Sequence, residues 1–556
     1  MNWIAKHFQL DAALLVLALA LGVILNWRSF FVDCLAIDEH VSFWIADRSG
    51  PSNLLDRSFN YSATPPLFFL LQSASLTAFG DREWALRLPA AASFLGAIVA
   101  VWWVGRSQFR PLCGGLAALL MATQPAAQDY AVVGRPYSLG MLLGVLAMLA
   151  TSRLGEQPSS RRRWIAWILV NLALVQTHYL FAVLWVAELL WLAWPAAGRP
   201  FSFRRVVGAG AILLALAVSV SPGLLRVWDH RLYLNWTTGS TSIGDLWALA
   251  LPVHHDWLEY PPWWGLLATP VLWLLVAHRP SPKNWFEPAW WKSAGLLFGR
   301  MVIWFVFPVG GLWLLGRYWF HSLAAARYLV IYVPASVLIL AALLSSLRGT
   351  VAPILACIAI GIGWQVRPMR GRPIQNLSVQ LHHAQTLPNA VDTAWKGSSR
   401  YVDLSEIAGR TTPLTPSATP VQVRLVLVSS GLTEMSLVPG YLNDAVFHDY
   451  VSCRLGRMYL VGGYKRLSLP LFWTDEARRF FRQAILRAAE QSKSPITNRT
   501  PTPPEIVLVV ATDTDLLRAS AEQAEALILA TGAKESARIN RPGMTYIIYH
   551  LDDKVP

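Results

Sequence analysis

Twelve apolar runs between residues 8 and 366 set the strongest limit on what this chain can fold into. Hydrophobic residues make up 54% of the sequence and charged residues only 14%. Several runs are shorter than the about 20 residues that a helix needs to span a bilayer, so we expect their ends to extend into the flanks. The sequence therefore predicts a polytopic α-helical membrane protein. The runs cover residues 8–26, 66–79, 88–105, 112–127, 137–152, 164–176, 180–194, 206–225, 263–277, 301–316, 328–345 and 351–366.

The positive charges predict the topology of these runs. If the amino terminus is cytoplasmic and run 66–79 does not cross, 14 of the 19 Lys and Arg residues between 88 and 366 face the cytoplasm. This bias is the one that the positive-inside rule describes, and it would reverse if run 66–79 crossed. We therefore expect 66–79 to be an interfacial or re-entrant helix. The remaining runs then give about eleven transmembrane helices, with juxtamembrane helices between them and the carboxyl terminus outside.

The composition becomes mixed and polar near residue 367. Beyond this point, segments 421–428, 506–511 and 545–550 are typical of buried strands. Segments 475–491 and 514–531 have the pattern of amphipathic helices. The sequence therefore predicts two domains, a transmembrane module over 1–366 and a soluble extracytoplasmic α/β domain over 367–556. The second domain contains no catalytic constellation that the sequence identifies.

Several classes of function do not fit this sequence. The net charge of +14 follows largely from the membrane topology, so it indicates no nucleic acid partner. Four cysteines are too few for a disulfide framework, and two of them lie inside apolar runs. No nucleotide-binding glycine motif, phosphate-binding loop or zinc-protease motif occurs.

Polar residues gather near the predicted outer ends of the runs. The acidic pair Asp38-Glu39 lies just past the first run, where two carboxylates beside a membrane are unfavourable unless they are used. A carboxylate can deprotonate a hydroxyl acceptor, arginines can hold a phosphate, and aromatic rings can stack on a sugar. The set therefore indicates transfer of a group from a lipid phosphate at the membrane surface. It comprises Asp38, Glu39, Arg87, Arg135, Tyr137, His178, Tyr179, Arg327 and Tyr328, with Asp129, His254, His255 and Asp256 as acceptor or loop candidates.

Each of these residues also has a structural interpretation. Arg87 and Arg327 could be helix-end arginines that extend their charge to the membrane surface. The tyrosines could belong to the interfacial aromatic belt, and His178 could be a hydrogen-bonded interior residue. The His254-His255-Asp256 cluster, with Glu259, matches no standard metal-binding spacing. We therefore predict no metal site and no certain cofactor, with a divalent cation at that cluster as the alternative.

Six short motifs occur in an order that resembles a known family. They are Asp38-Glu39, Thr64-Pro65-Pro66-Leu67, Glu83-Trp84-Ala85-Leu86-Arg87-Leu88-Pro89, Arg135-Pro136-Tyr137, Thr177-His178-Tyr179 and Arg327-Tyr328-Leu329. Over residues 1–345 this order resembles the GT-C membrane glycosyltransferases, in particular the bacterial branch related to protein O-mannosyltransferases and lipid A aminoarabinose transferases. The resemblance implies a polyprenyl-phosphate sugar donor, inverting transfer, and an outward-facing site in the bacterial inner membrane. It also implies that Asp38 is the base or acceptor-orienting group and that Arg327 contacts the donor phosphate.

Two departures argue against aminoarabinose as the sugar. Thr64-Pro65-Pro66 stands where the aminoarabinose branch has Glu-Lys-Pro, and Arg135-Pro136 stands where it has Asp-Pro. We expect a glycosyltransferase that uses a polyprenyl-phosphate-linked donor and a lipid, glycan or protein acceptor outside the cytoplasm. Two alternatives stay open. One is a transporter or flippase for a lipid-linked glycan, with Glu188 and His178 along its path, and the other is a non-catalytic accessory membrane protein.

Overall fold

The structure is a computed structural model, and its description covers most of the apolar part and the core of the carboxyl-terminal part. The described residues are 2–31, 35, 37–47, 50–62, 64–193, 202–236, 288–318, 326–346, 402–403, 423–429, 441–451, 460–461, 465–470, 473–490, 505–511, 515–541 and 544–550.

Helices form the described chain up to residue 346. Wider π-helical turns follow two of them, at Arg57–Tyr61 and Gly105–Phe109, and tighter 3-10 segments precede two others, at Tyr179–Val183 and Ala326–Tyr332. The α-helices are α1 (Asn2–Phe31), α2 (Ile37–Ala46), α3 (Pro51–Asp56), α4 (Leu67–Phe79), α5 (Glu83–Val104), α6 (Pro111–Thr123), α7 (Pro125–Gln128), α8 (Tyr137–Glu156), α9 (Arg161–Thr177), α10 (Leu184–Ala193), α11 (Phe203–Val218), α12 (Ser221–Trp236), α13 (Pro288–Tyr318) and α14 (Val333–Ser346).

Several of these helices have the length and composition of membrane spans. Four in the described ranges pass on both criteria: Leu10–Phe31, Glu83–Phe109, Tyr137–Glu156 and Gly299–Tyr318. The pair Phe203–Val218 and Ser221–Trp228, bent by 68°, adds a fifth if it forms one span. A multi-pass membrane protein fits these helices, whereas the count of eleven crossings stays a prediction.

Helix α4 is a short apolar helix, and its length bears on the predicted topology. It has 13 residues, so it is about 20 Å long. The hydrocarbon core of a bilayer is about 30 Å thick. Helix α6, whose run is among the predicted crossings, has the same length, so the interfacial or re-entrant position of run 66–79 stays a prediction.

A buried ion pair joins α1 to the end of α5. Asp11 is 1% exposed, and its carboxylate accepts hydrogen bonds from the Trp102 indole at 2.8 Å and the Arg106 guanidinium at 2.7 Å. Glycine lets α6 pack closely at the same place, because a Cβ on Gly114 would lie 2.7 Å from the carbonyl oxygen of Trp102. The pair therefore satisfies an acidic side chain inside an otherwise apolar helix.

A second polar cluster lies among α8, α9 and α10. Glu188 is fully buried, and its Oε2 accepts hydrogen bonds from Thr151 Oγ1 at 2.9 Å, Trp167 Nε1 at 2.6 Å and Asn171 Nδ2 at 3.0 Å. One carboxyl oxygen therefore links three helices by their side chains. Such a link stabilises helix association where apolar packing alone gives little orientation.

A mixed sheet forms the core of the carboxyl-terminal part. Its described strands occur in the order β4-β2-β5-β7-β6, with β2 parallel to β4 and β5, and β7 antiparallel to β5 and β6. The short strands β1 and β3 pair in parallel in a separate two-stranded sheet. The strands are β1 (Val402–Asp403), β2 (Val423–Val428), β3 (Leu460–Val461), β4 (Lys465–Ser468), β5 (Glu505–Ala511), β6 (Lys534–Arg541) and β7 (Met544–His550), and the helices are α15 (Ala445–Val451), α16 (Asp475–Glu490) and α17 (Asp515–Ala530). These elements give the α/β architecture that the sequence predicts. The solubility of this part stays a prediction.

The chain packs as two compact units, and their division differs from the sequence boundary at residue 367. The first unit contains Met1–Val32, Leu54–Ala78 and Trp84–Arg370, and the second contains Asp33–Asn53, Phe79–Glu83 and Gly371–Pro556. Two segments from the first hundred residues therefore pack with the α/β part. One of them contains α2, which begins with the acidic pair.

Candidate functional site

A non-helical segment between α7 and α8 carries Arg135. Two side chains hold this segment in place. The Gln72 amide donates to the carbonyl oxygen of Gly134 at 3.0 Å, and the Ser138 hydroxyl donates to the carbonyl oxygen of Tyr130 at 2.6 Å. The backbone on both sides of the segment is therefore fixed, and Arg135 follows Gly134 directly.

Two glycines on one face of α8 bring three sequence-distant segments together. A Cβ on Gly140 would lie 2.1 Å from the Phe181 ring, and a Cβ on Gly144 would lie 3.1 Å from Ile331. Residues four apart share a helix face, so this spacing lets two 3-10 segments approach α8 closely. One of these segments follows His178 and the other contains Tyr328.

The result is an aromatic cluster at the amino-terminal end of α8. The ring centroids of Tyr137 and Tyr328 are 6.5 Å apart, and those of His178 and Tyr328 are 5.1 Å apart. Tyr130 extends the cluster, with its ring centroid 5.0 Å from that of Tyr137. The structure therefore brings together Tyr137, His178 and Tyr328, which the sequence analysis selected separately. Tyr130 adds a fourth ring to this cluster.

Two positive charges converge on the same cluster. The Arg327 guanidinium lies 5.0 Å from the centroid of the Tyr328 ring, in cation–π geometry. Both Arg135 and Arg327 interact electrostatically with the His178 imidazole. An arrangement of two guanidinium groups beside aromatic rings has the chemistry to bind a phosphate and an attached sugar.

The hydrogen bond of His178 indicates which of its ring nitrogens carries the proton in the neutral imidazole. The backbone amide of Leu180 donates to Nδ1 of His178 at 3.3 Å. Since Nδ1 accepts, the neutral ring carries its proton on Nε2. His178 can therefore act as a neutral hydrogen-bond donor beside the two arginines.

Tyr179 and Arg87 lie in different environments from this cluster. A Cβ on Gly223 would lie 1.6 Å from the Tyr179 hydroxyl oxygen, so that hydroxyl packs directly against the backbone of α12. Arg87 is 3% exposed, and its guanidinium donates to the carbonyl oxygen of Ser29 at 2.7 Å. Tyr179 thus anchors α12, and Arg87 ties α5 to the end of α1. Of the two interpretations of Arg87, that of a helix-end arginine extending to the surface does not fit its burial.

The acidic pair opens α2 in the second unit. Asp38 and Glu39 occupy its first turn, where negative charge is favourable at a helix amino terminus. Glu39 is 2% exposed, whereas Asp38 is only partly buried. Asp38 is therefore the more exposed member of the pair. Asp129, in the turn after α7, is also partly buried.

His254, His255 and Asp256 lie outside the described residues. Within the described part of the chain, no group of three or more His, Cys, Asp or Glu side chains could hold a metal ion.

Gln72 is a residue that the predicted set lacks. Its amide donates to two carbonyl oxygens, those of Leu86 and Gly134, each at 3.0 Å. These are the residues that directly precede Arg87 and Arg135. The sequence does contain one indication of this role, a single amide side chain inside the apolar run 66–79. A polar group that is buried in such a run needs hydrogen-bond partners, so this side chain is a candidate link to other segments.

The comparisons with known proteins point in the same direction. Residues 63–225 match the model of the family described as dolichyl-phosphate-mannose-protein mannosyltransferase. ArnT from Cupriavidus metallidurans bound to undecaprenyl phosphate is structurally similar, with a TM-score of 0.50 and 14% identity over 97% of this chain and 98% of that chain. The Archaeoglobus fulgidus oligosaccharyltransferase complex with Zn and sulfate aligns with a TM-score of 0.40 and 14% identity over 93% of this chain and 71% of that chain. No curated protein sequence matches the chain. The similarity to ArnT shows that the chain has the GT-C fold, and the predicted resemblance is confirmed.

Proposed function

We propose that this chain, with its GT-C fold, is a membrane glycosyltransferase that transfers a sugar from a polyprenyl-phosphate donor to an acceptor outside the cytoplasm. The observation that carries this proposal is the convergence of Arg135 and Arg327 on the cluster of Tyr137, His178 and Tyr328. Two fixed positive charges beside aromatic rings fit a ligand that has an anionic phosphate next to a sugar. The ArnT structure of similar fold contains undecaprenyl phosphate, which supports a polyprenyl phosphate as the leaving group.

The proposed reaction is a displacement at the anomeric carbon. An acceptor hydroxyl oxygen forms a bond to that carbon while the bond from the carbon to the phosphate oxygen breaks, and the electron pair leaves with the phosphate. Arg327 and Arg135 stabilise the additional negative charge on the departing polyprenyl phosphate. The Asp38 carboxylate takes the acceptor proton or orients the acceptor hydroxyl. Attack from the face opposite the leaving group inverts the configuration of the sugar.

The burial of the acidic pair supports the choice of base. A general base must come within about 2.6–3.2 Å of the hydroxyl that it deprotonates. Glu39 is 2% exposed, and Asp38 is the more accessible of the two. Asp38 is therefore the proposed base, and Glu39 has a structural role in the first turn of α2.

Reconstitution with defined lipids tests the proposal. The purified protein in proteoliposomes is first titrated with undecaprenyl phosphate alone, and we expect saturable binding that weakens when Arg135 and Arg327 are both replaced by Gln. The wild type is then given undecaprenyl-phosphate hexoses together with a membrane extract as acceptor. We expect release of undecaprenyl phosphate and a matching mass increase in an acceptor. Movement of intact lipid-linked sugar across the bilayer without bond cleavage would overturn the proposal in favour of a transporter.

A further inference from the structure

We infer that the α/β part of the chain, within residues 367–556, positions the proposed base, Asp38. It does so through side-chain contacts that link α2, the helix that carries Asp38, to the end strand of the five-stranded sheet. The residues of this connection are Trp44 on α2, Asp449 on α15 and Arg466 on β4. All three belong to the second compact unit. Residues 367–556, for which the sequence predicts no role, thereby have a positioning role. This inference rests on the proposed role of Asp38.

Helix α2 is too short to be stable without contacts to the rest of the protein. It has only ten residues, and isolated helices of that length are marginal in water. Every residue from Glu39 to Asp47 is buried, so the helix is covered on all sides. The position of Asp38, in the first turn, therefore follows from whatever holds the rest of α2.

Trp44 attaches α2 to α15 within this unit. It is 2% exposed, and its indole Nε1 donates to Oδ2 of Asp449 at 2.8 Å. Its ring also packs on Tyr450, with the centroids 5.1 Å apart. One side chain thus combines a charge-assisted hydrogen bond with aromatic packing on the same helix, α15.

Asp449 continues the connection to the sheet. Its second carboxylate oxygen, Oδ1, lies 3.4 Å from the Arg466 guanidinium. Arg466 is on β4, which is the end strand of the five-stranded sheet and pairs with β2. The connection therefore runs from the helix of the proposed base, through α15, to β4 of the five-stranded sheet.

The experiment combines two substitutions with matched controls. Trp44→Phe keeps an aromatic ring against Tyr450 but removes the indole donor, and Asp449→Leu removes the acceptor. Asp449→Asn keeps an oxygen that can accept the indole hydrogen bond. The control for Trp44→Phe is Trp473→Phe, which removes an indole hydrogen bond to Ser520 in the same unit without involving α2. The full-length protein in detergent or nanodiscs is used throughout.

Hydrogen exchange of the amides in residues 37–47 provides a readout that needs no substrate. We expect about tenfold faster exchange there in Trp44→Phe and Asp449→Leu, because a lost hydrogen bond to a charged group weakens local stability by that order. Exchange in Trp473→Phe should resemble the wild type in this segment. Exchange in Asp449→Asn should lie between the wild type and Asp449→Leu, because Asn keeps an acceptor for the indole but loses the ion pair with Arg466. Equal exchange in Trp44→Phe and Trp473→Phe would overturn the anchoring.

Steady-state kinetics then test whether the anchoring serves catalysis. We expect kcat to fall in Trp44→Phe and Asp449→Leu with an unchanged donor KM, and the double variant to be no worse than the poorer single variant. Faster exchange with an unchanged kcat would overturn the positioning role. If the wild type transfers no sugar, the proposed function fails and with it the catalytic part of the inference, while the exchange result still decides the anchoring.

Discussion

The side-chain amide of Gln72 lies 3.0 Å from the carbonyl oxygen of Gly134, and it lies equally far from that of Leu86. One fully buried residue of α4 therefore fixes the backbone immediately before both Arg87 and Arg135. Gln72 does not have to touch a ligand to affect binding. It sets the position from which the Arg135 side chain extends.

Replacing Gln72 with Leu should weaken donor binding. The change keeps the approximate volume but leaves two buried carbonyl groups without this donor, at a cost of about 1–3 kcal/mol each. We expect a higher Kd for undecaprenyl phosphate and a lower thermal stability. The matched control is Gln176→Leu, which removes a surface hydrogen bond to Ser219 in the same unit. If both variants bind undecaprenyl phosphate as the wild type does, Gln72 does not position Arg135.

The secondary structure of the α/β part could be predicted from local patterns. The predicted helix at 475–491 is observed at Asp475–Glu490, and the predicted strand at 506–511 is observed at Glu505–Ala511. Both segments have a hydrophobic period that matches the element, so neighbouring residues alone determine it. Local patterns could not, however, assign α2 to the same compact unit as the α/β part. Helix α2 lies about 400 residues before Asp449, and no local pattern reports a contact of that separation.

The candidate site could be predicted only in part, for a similar reason. The motifs selected Tyr137, His178 and Tyr328, and the structure places their rings in one cluster. Tyr179 follows His178 directly, yet its hydroxyl packs against Gly223. Adjacent residues point in different directions, and a sequence motif does not show which of two neighbours faces the site.

Substitution of Glu188 tests whether this residue stabilises the helix packing or lies on a transport path. Its Oε2 accepts hydrogen bonds from Thr151, Trp167 and Asn171, and Gln would keep an oxygen for these donors without burying a charge. We therefore expect Glu188→Gln to retain transfer activity and most of the thermal stability, whereas Glu188→Leu should be clearly less stable. Melting temperatures and transfer rates are measured on the same preparations. Loss of function in a stable Glu188→Gln protein would favour a transport path through this residue.

The predicted topology places residues 367–556 outside the cytoplasm. A reporter fused after Val555 tests this in cells, since alkaline phosphatase is active only outside the cytoplasm, where its disulfides form. We expect high phosphatase activity, and no fluorescence from a fluorescent protein that folds only in the cytoplasm. A control fusion within residues 157–160, between α8 and α9, should give the opposite pattern. A fluorescent fusion after Val555 would invert the topology and move the proposed site to the other face.

Substitution of Arg327 tests whether its guanidinium contacts the donor phosphate or only anchors a helix end at the membrane surface. Its guanidinium packs on the Tyr328 ring, and Lys cannot provide the planar group that both stacks and donates paired hydrogen bonds. We expect Arg327→Lys to raise the donor KM by about tenfold, as for one charge-assisted hydrogen bond. The control is Arg204→Lys, at the exposed start of α11. Identical donor titrations for the two variants would leave Arg135 as the phosphate contact.

Asp38→Asn should abolish transfer while the protein stays folded. Asn keeps the shape of Asp38 but cannot accept a proton, and loss of a positioned base lowers rates by about 10²–10⁴-fold. Binding of undecaprenyl phosphate should be unchanged, because the proposed phosphate contacts are the two arginines. Glu39→Gln is the matched variant. Since Glu39 is 2% exposed, we expect it to affect the stability of α2 more than turnover. Near-normal turnover in Asp38→Asn would reject this base, and Asp129→Asn, measured in parallel, would show whether the turn after α7 supplies it instead.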